Sequence, residues 1–279
     1  MDVSPGAPPL PAHAIKAPTL LGEEIGPDGT VGRSGVERVA TAVTSAIRSA
    51  AQQGVDLLYP FVTSAVRDAV NRDEILDAIE AGSGIRPYLL TGEQEARLIY
   101  LAAHRWYGWS AGRLLLLDIG GGSMEIVLGR DAQPELAISL PLGAGRLTRQ
   151  FLTGDPPPAK RVKALGRHIR DTLGEVADRL RWEGDPRRAV ATSKTFKQLA
   201  RLAGAAPQRK GPFVRRTLAL TDVQAWIPRL AGMSAAQREK LRGVSGPRAS
   251  QILAGAIVVD ETMTALDLDS VEICPWALR

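Results

Sequence analysis

The chain has 279 residues, 44% hydrophobic and 23% charged, ordinary values for a globular protein with room for one large or two medium cores, so a fibre or a disordered chain is excluded. Its one cysteine, Cys274, rules out an intrachain disulfide and points to a reducing cytoplasm, and no apolar run approaches the roughly 18 residues of a membrane span. The formal charge of +5 favours a polyanionic partner.

The opening residues, MDVSPGAPPLPAHAIK, have no basic-then-apolar layout of a signal peptide, and AIKAPTLL (14–21) reads as a strand. Residues 33–54 place Val36, Val39, Ala40, Val43 and Ile47 on one helical stripe, with Gly54 as the stop. VDLLYPFV (55–62), a continuous apolar run, predicts a buried strand. It runs into TSAVRDA (63–69), with Thr63, Ser64 and Arg67; an arginine just beyond a strand end can grip a phosphate bidentately or serve as a surface ion-pair partner. NRDEILDAIEAGSG (71–84) predicts a helix and RPYLL (86–90) a strand. TGEQEARLIYLAAHRWY (91–107) predicts a helix opened by Thr91 and Gln94 at capping-box spacing. Glu93 and Glu95 by themselves read as an acidic first turn; across a cleft from a phosphate site, such a carboxylate would orient or deprotonate a water.

RLLLLDI, MEIVLG and PELAISLPL (113–142) read as three strands joined by tight turns. There follow a helical region over about 145–182, the strand RAVATS (188–193), the helix KTFKQLARLAG (194–204), helices through 265 and the strand DSVEIC (269–274). Both halves alternate helices with apolar strands, which predicts two α/β domains, 1–112 and 113–279. The second opens with a three-strand meander; the first shows only its last strand. Basic residues gather in KRVKALGRHIR (160–170), RWEGDPRR (181–188) and QRKGPFVRR (208–216). At 5% aromatics no base-stacking platform is expected, so neither nucleic acid nor a membrane is an expected partner.

Within LLLLDIGGGSMEIVLG (114–129) there is no Lys-Ser/Thr, no GxGxxG order and no following helix, so the glycines form a hairpin tip rather than a nucleotide loop. Gly120, Gly121 and Gly122 permit positive φ and remove every Cβ, so that successive N–H groups can converge on an anionic oxygen, joined by the Ser123 hydroxyl. Asp118 and Glu125 bring carboxylates to the same mouth. Acids beside a phosphate pocket imply a cation between them, Mg²⁺ by its taste for oxygen. A flexible hairpin with chance acids is the competing reading.

Taken together, DIGGGSME (118–125), GEQEAR (92–97), TSAVRDA (63–69), PLGAGRLT (141–148) and GVSGPRASQILAGAIVV (243–259) carry a resemblance. In that order and at those separations the chain resembles the exopolyphosphatase/guanosine pentaphosphate phosphatase family, of the actin, sugar-kinase and heat-shock ATPase fold. The resemblance implies an α/β protein with two actin-like (ribonuclease H-like) domains around a cleft. It implies Glu95 as the catalytic base, Glu125 as its partner in positioning water or metal, and Asp118 as a carboxylate for Mg²⁺ or Mn²⁺. It makes Gly120, Gly121, Gly122 and Ser123 the phosphate cradle, with Ser64 and Arg67 as phosphate contacts from the first domain. The implied activity is release of terminal phosphate from inorganic polyphosphate, with hydrolysis of guanosine pentaphosphate or a catalytically weak polyphosphate- or alarmone-binding regulator as alternatives. A homodimer is implied too.

Two departures stand out. ATSKT (191–195) has Lys194 where the family has a glycine, either an added phosphate contact or a block to a nucleotide base. Family members also open with an Asp-x-Gly-Ser-Asn loop between two strands, absent here; the first domain is expected to lack those strands, and either translation starts upstream of Met1, the preferred reading, or this form is weakly active or inactive. The end, ALR (277–279), likewise falls where the family continues.

Overall fold

A computed structural model describes residues 15–19, 21, 24–26 and 28–278. The chain divides into two compact units, one running up to Val62 with Val66–Leu89, the other made of Thr63–Ala65 and everything from Leu90.

In the first unit, α1 (Arg33–Gln52) buries Val36 and Val39 and half-buries Ala40, Val43 and Ile47. It stops where Gly54 turns left-handed (φ 70°) and the N–H groups of Gly54 and Val55 reach back to Ala51 and Ala50, both at 3.1 Å. The four-residue α2 (Ser64–Arg67) follows the strand β1 (Phe61–Val62), and α3 (Arg72–Ser83) packs on α1. β1 pairs in parallel with β2 (Tyr88–Leu89). The buried strand expected over 55–62 is therefore corrected: only its last two residues pair, while Val55, Leu57, Leu58 and Tyr59 are exposed. A two-residue ladder gives the run neither neighbour nor cover. The strand expected over 14–21 is not found either. Residues 15–19 form no strand and Leu21 sits in a 3₁₀ turn; Ala14 and Leu20 lie outside the described residues.

The second unit is built on a six-stranded mixed sheet. Its strands are β3 (Leu114–Ile119), β4 (Met124–Gly129), β5 (Leu136–Leu140), β6 (Arg188–Ala191), β7 (Thr217–Ala219) and β8 (Ser270–Ile273), in the order β5-β4-β3-β6-β8-β7. The meander is antiparallel, and β6 and β8 continue it in parallel. One face carries α4 (Gly92–Tyr107), whose capping box forms as expected: Gln94 N–H donates to the Thr91 hydroxyl and Thr91 N–H to the Gln94 amide oxygen. The other face carries α5 (Ala144–Phe151), α6 (Ala159–Glu183), α7 (Ser193–Leu202), α8 (Leu220–Ala231) and α11 (Ile252–Ala265), with the short α9 (Ala235–Glu239) and α10 (Gly246–Ala249) between.

Buried on both sides, β3 alternates cleanly. Leu114 and Leu116 pack toward α4 with Ala96, Ile99, Tyr100 and Ala103, whereas Leu115, Leu117 and Ile119 join the larger core beneath α5, α7 and α11. The run of prolines at 156–158 splits the expected helical region into α5 and α6. The edge strand β7, three residues long, falls where only helices were expected. Two aromatics do lie in the basic stretches: Trp182 and Phe213 are both exposed, and Phe213 stacks on Trp106 with ring centroids 5.3 Å apart.

Candidate active site

Strand alternation decides where the acids go. Asp118 has the parity of Leu114 and Leu116, and Glu125 that of Val127, so both point to the α4 face. The register pairs them directly, Asp118 opposite Glu125, and Glu125 opposite Ser139 on β5. From above, α4 contributes Glu95, which occupies the buried stripe it shares with Ala96, Ile99 and Ala103. All three carboxylates are buried: Glu95 is 6% exposed, Asp118 8% and Glu125 1%. Like charges opposed across a strand pair are unfavourable. Accordingly, burial first, then Glu95 and Asp118, push the Glu125 carboxyl up to about 8.

Hydroxyls hold two of these acids. Ser139 donates to Glu125 Oε1 at 2.9 Å, and Thr192, one residue past β6, donates a short hydrogen bond to Asp118 Oδ2. Thr192 itself is set by its N–H bond to Leu117 (2.9 Å). The next residue, Ser193, has φ 68°, a left-handed turn that non-glycine residues rarely take and that marks stored strain beside the acids.

The hairpin tip is tethered through its carbonyls. Ala144 N–H donates to Gly120 O (3.0 Å), Arg146 N–H to Gly121 O (2.9 Å) and Arg146 Nε to Gly122 O (2.9 Å), while Gly120 N–H closes the turn on Ser123 O (2.9 Å). The N–H groups of Gly121, Gly122 and Ser123 find no acceptor among the described residues. Neither does the buried Ser123 hydroxyl reach hydrogen-bonding geometry, although it is near enough to ease the Glu125 charge. None of Gly120, Gly121 and Gly122 uses the positive φ that glycine permits. They are needed because the tip is crowded on one side and bare on the other. A Cβ on Gly122 would come within 3.0 Å of Ser64 Oγ, and one on Gly120 within 3.3 Å of Ser123 O, whereas one on Gly121 would meet nothing within 4 Å.

Gly143 seats the tip from below, since any Cβ there would overlap the Gly122–Ser123 peptide. Gly143→Ala is therefore expected to cost about 1–3 kcal/mol of stability in a denaturant melt. Gly121→Ala, facing open space, should leave the melt unchanged and impair only the chemistry at the loop.

Of the residues singled out from the sequence, Asp118, Glu125, Glu95, the glycines, Ser123 and Ser64 come together in the second unit. Glu93, by contrast, pairs with Arg97 on the surface at 2.8 Å. Arg67 belongs to the first unit, where its Nε reaches Asp68 at 3.3 Å, and Lys194 is exposed on the first turn of α7. Ser139, Thr192, Gly143 and Arg146 were not anticipated. Only PLGAGRLT, quoted as a motif without a role, could have pointed to Gly143 and Arg146.

No group of three or more His, Cys, Asp or Glu side chains is arranged to hold a metal among the described residues. The donor set still fits a hard cation. Asp118 and Glu125 stand directly opposite each other on paired strands, and Mg²⁺ commonly takes one or two carboxylates and completes its shell with water and phosphate oxygens.

The model of the Ppx/GppA phosphatase family matches residues 6–279. The chain is 46% identical to Exopolyphosphatase 1 of Mycobacterium tuberculosis over 279 residues, all of this chain and 81% of that one. It is 48% identical to an uncharacterized protein of Streptomyces coelicolor over 98% of this chain and 82% of the other. The Aquifex aeolicus Ppx/GppA family member superposes with a TM-score of 0.75 at 26% identity, covering 94% of this chain and 84% of that one. With a match running almost from end to end in sequence and fold alike, the chain belongs to the Ppx/GppA phosphatase family.

Proposed function

We propose that the protein is an exopolyphosphatase, releasing terminal orthophosphate from inorganic polyphosphate by in-line attack of water. The observation that carries this reading is the tethered hairpin, whose carbonyls are all engaged and whose N–H groups at 121–123 stay open beside three buried carboxylates. The open N–H groups and the Ser123 hydroxyl bind the terminal phosphate, with Ser64 against the same loop. Glu95 orients the water and accepts its proton. Asp118 and Glu125, steadied by Thr192 and Ser139, hold Mg²⁺ or Mn²⁺, which when bound neutralises phosphate oxygens and offsets the crowding of the acids. Lys194 serves as a further phosphate contact. The single, buried Cys274 agrees with a cytoplasmic setting, and a homodimer completes the proposal.

A polymer without a base is favoured over guanosine pentaphosphate by Lys194, which adds charge where the family's glycine would leave room. The test is phosphate release from both substrates, side by side, with Mg²⁺ and with EDTA. A higher kcat/KM for polyphosphate is expected. Preference for guanosine pentaphosphate would reverse the substrate order, and release from neither would replace the enzyme with a regulator that binds these anions.

A further inference from the structure

Four arginines gather at one corner of the second unit with no carboxylate among them. Arg201 lies in the last turn of α7, and Gly243 is packed so closely on it that a Cβ there would stand 2.5 Å from Arg201 Cβ, which brings Arg242 alongside. Arg216, 4% exposed, gathers residues 206–214 around itself: it donates to the carbonyls of Ala206 (2.8 Å), Val214 (2.7 Å), Pro207 (2.8 Å) and Gly211 (3.0 Å). That wrapping places Arg209, on an exposed 3₁₀ turn, near Arg201, which itself donates to Ala205 O. None of the four joins an ion pair among the described residues. Desolvation, and then the charges of Arg242, Arg209 and Arg216, hold Arg201 below the usual arginine range. Such a cluster repels itself and is relieved by an anion.

The corner is joined to the active site along α7. Thr195 donates to Ile119 O at 3.1 Å, pinning the start of the helix to the end of β3. Lys194, Gln198 and Arg201 then follow at i, i+4 and i+7 on one face, a reach of about 10 Å. Gln198 is turned by its bond to Ser245 Oγ (2.8 Å), and its buried Oε1 has no partner.

We infer that Arg201, Arg209 and Arg242 form a distal anion site that holds internal phosphates of a polyphosphate chain whose terminal phosphate lies at the glycine hairpin. This rests on the polyphosphate reading above. A base-bearing polymer fits less well, because Phe213, the exposed aromatic of the same basic segment, already has Trp106 stacked on its ring.

The test uses Arg209→Gln/Arg242→Gln, both exposed positions, and a triple variant that adds Arg201→Gln, with thermal melts to confirm folding. Phosphate release is compared on tripolyphosphate and on long-chain polyphosphate over a range of salt. KM for the long chain is expected to rise about tenfold and to lose much of its salt dependence, with kcat and the tripolyphosphate kinetics unchanged. Equal change on both substrates, or on neither, overturns the site. Binding of labelled long-chain polyphosphate in EDTA separates this from the hydrolytic reading. If wild type binds the polymer without cleaving it and the variants lose binding, the site stands and the hydrolytic reading fails. Undiminished binding by the variants sinks the site whatever the hydrolysis, and so does displacement of polyphosphate by single-stranded RNA at equal charge.

Discussion

Glu95→Gln lowers phosphate release from polyphosphate by about 10²–10⁴-fold, the usual weight of a positioned general base, while the polymer is still bound. The amide keeps the size of the carboxylate and its ability to accept hydrogen bonds, but cannot take a proton from water. The helix start keeps its Thr91–Gln94 capping box in the variant, and a denaturant melt confirms that the fold survives the exchange. Single-turnover release measured beside polymer binding separates the two effects. Glu93→Gln is the matched control, two residues away yet paired with Arg97 at the surface, and should release phosphate at the wild-type rate. Undiminished release by the Glu95 variant would move the base elsewhere.

Glu125→Gln should abolish release and yet stabilise the metal-free protein at alkaline pH. Unfolded, the carboxyl ionises near 4.5; folded, it ionises near 8. Between these values the unfolded chain has surrendered the proton and the folded one keeps it, so wild-type stability falls as pH rises from 4.5 to 8 and is level beyond. Glutamine carries no such proton. The variant should match wild type below about pH 4.5 and exceed it by up to about 5 kcal/mol above about pH 8. Denaturant melts in EDTA at the two ends of this range read the difference, and a gap that does not vary with pH would refute the buried, crowded carboxyl. A cation must displace the same proton, so Mg²⁺ affinity of the wild type should climb up to about pH 8 and then flatten.

The parts legible beforehand were those in which local and global signals agree. The α1 stripe with its glycine stop, the α4 capping box and the three-strand meander each carry a periodicity and a terminator of their own. VDLLYPFV was misread because a continuous apolar run shows only that a segment could be buried; whether a neighbouring strand covers it is decided elsewhere in the chain. β7 is too short and too near the edge to leave a pattern. At the site, the acids and glycines were visible, but their distinctions were not. Glu93 and Glu95 look alike as an acidic first turn; only the packed face of α4 separates a surface ion pair from a buried carboxylate. Ser139 and Thr192 are ordinary residues until strand register sets one opposite Glu125 and the other beside Asp118.

A run of glycines is usually a supple hinge, but this one has spent its freedom in folding. Each of its three carbonyls is held by α5 or by Arg146, and Gly143 closes the space in which the Gly122–Ser123 peptide could swing. An arriving phosphate therefore has almost no backbone to order, and the entropy that a mobile loop would lose on binding has already been lost. Selectivity then follows from fixed spacing: an anion whose oxygens do not match the open N–H groups cannot induce them to move.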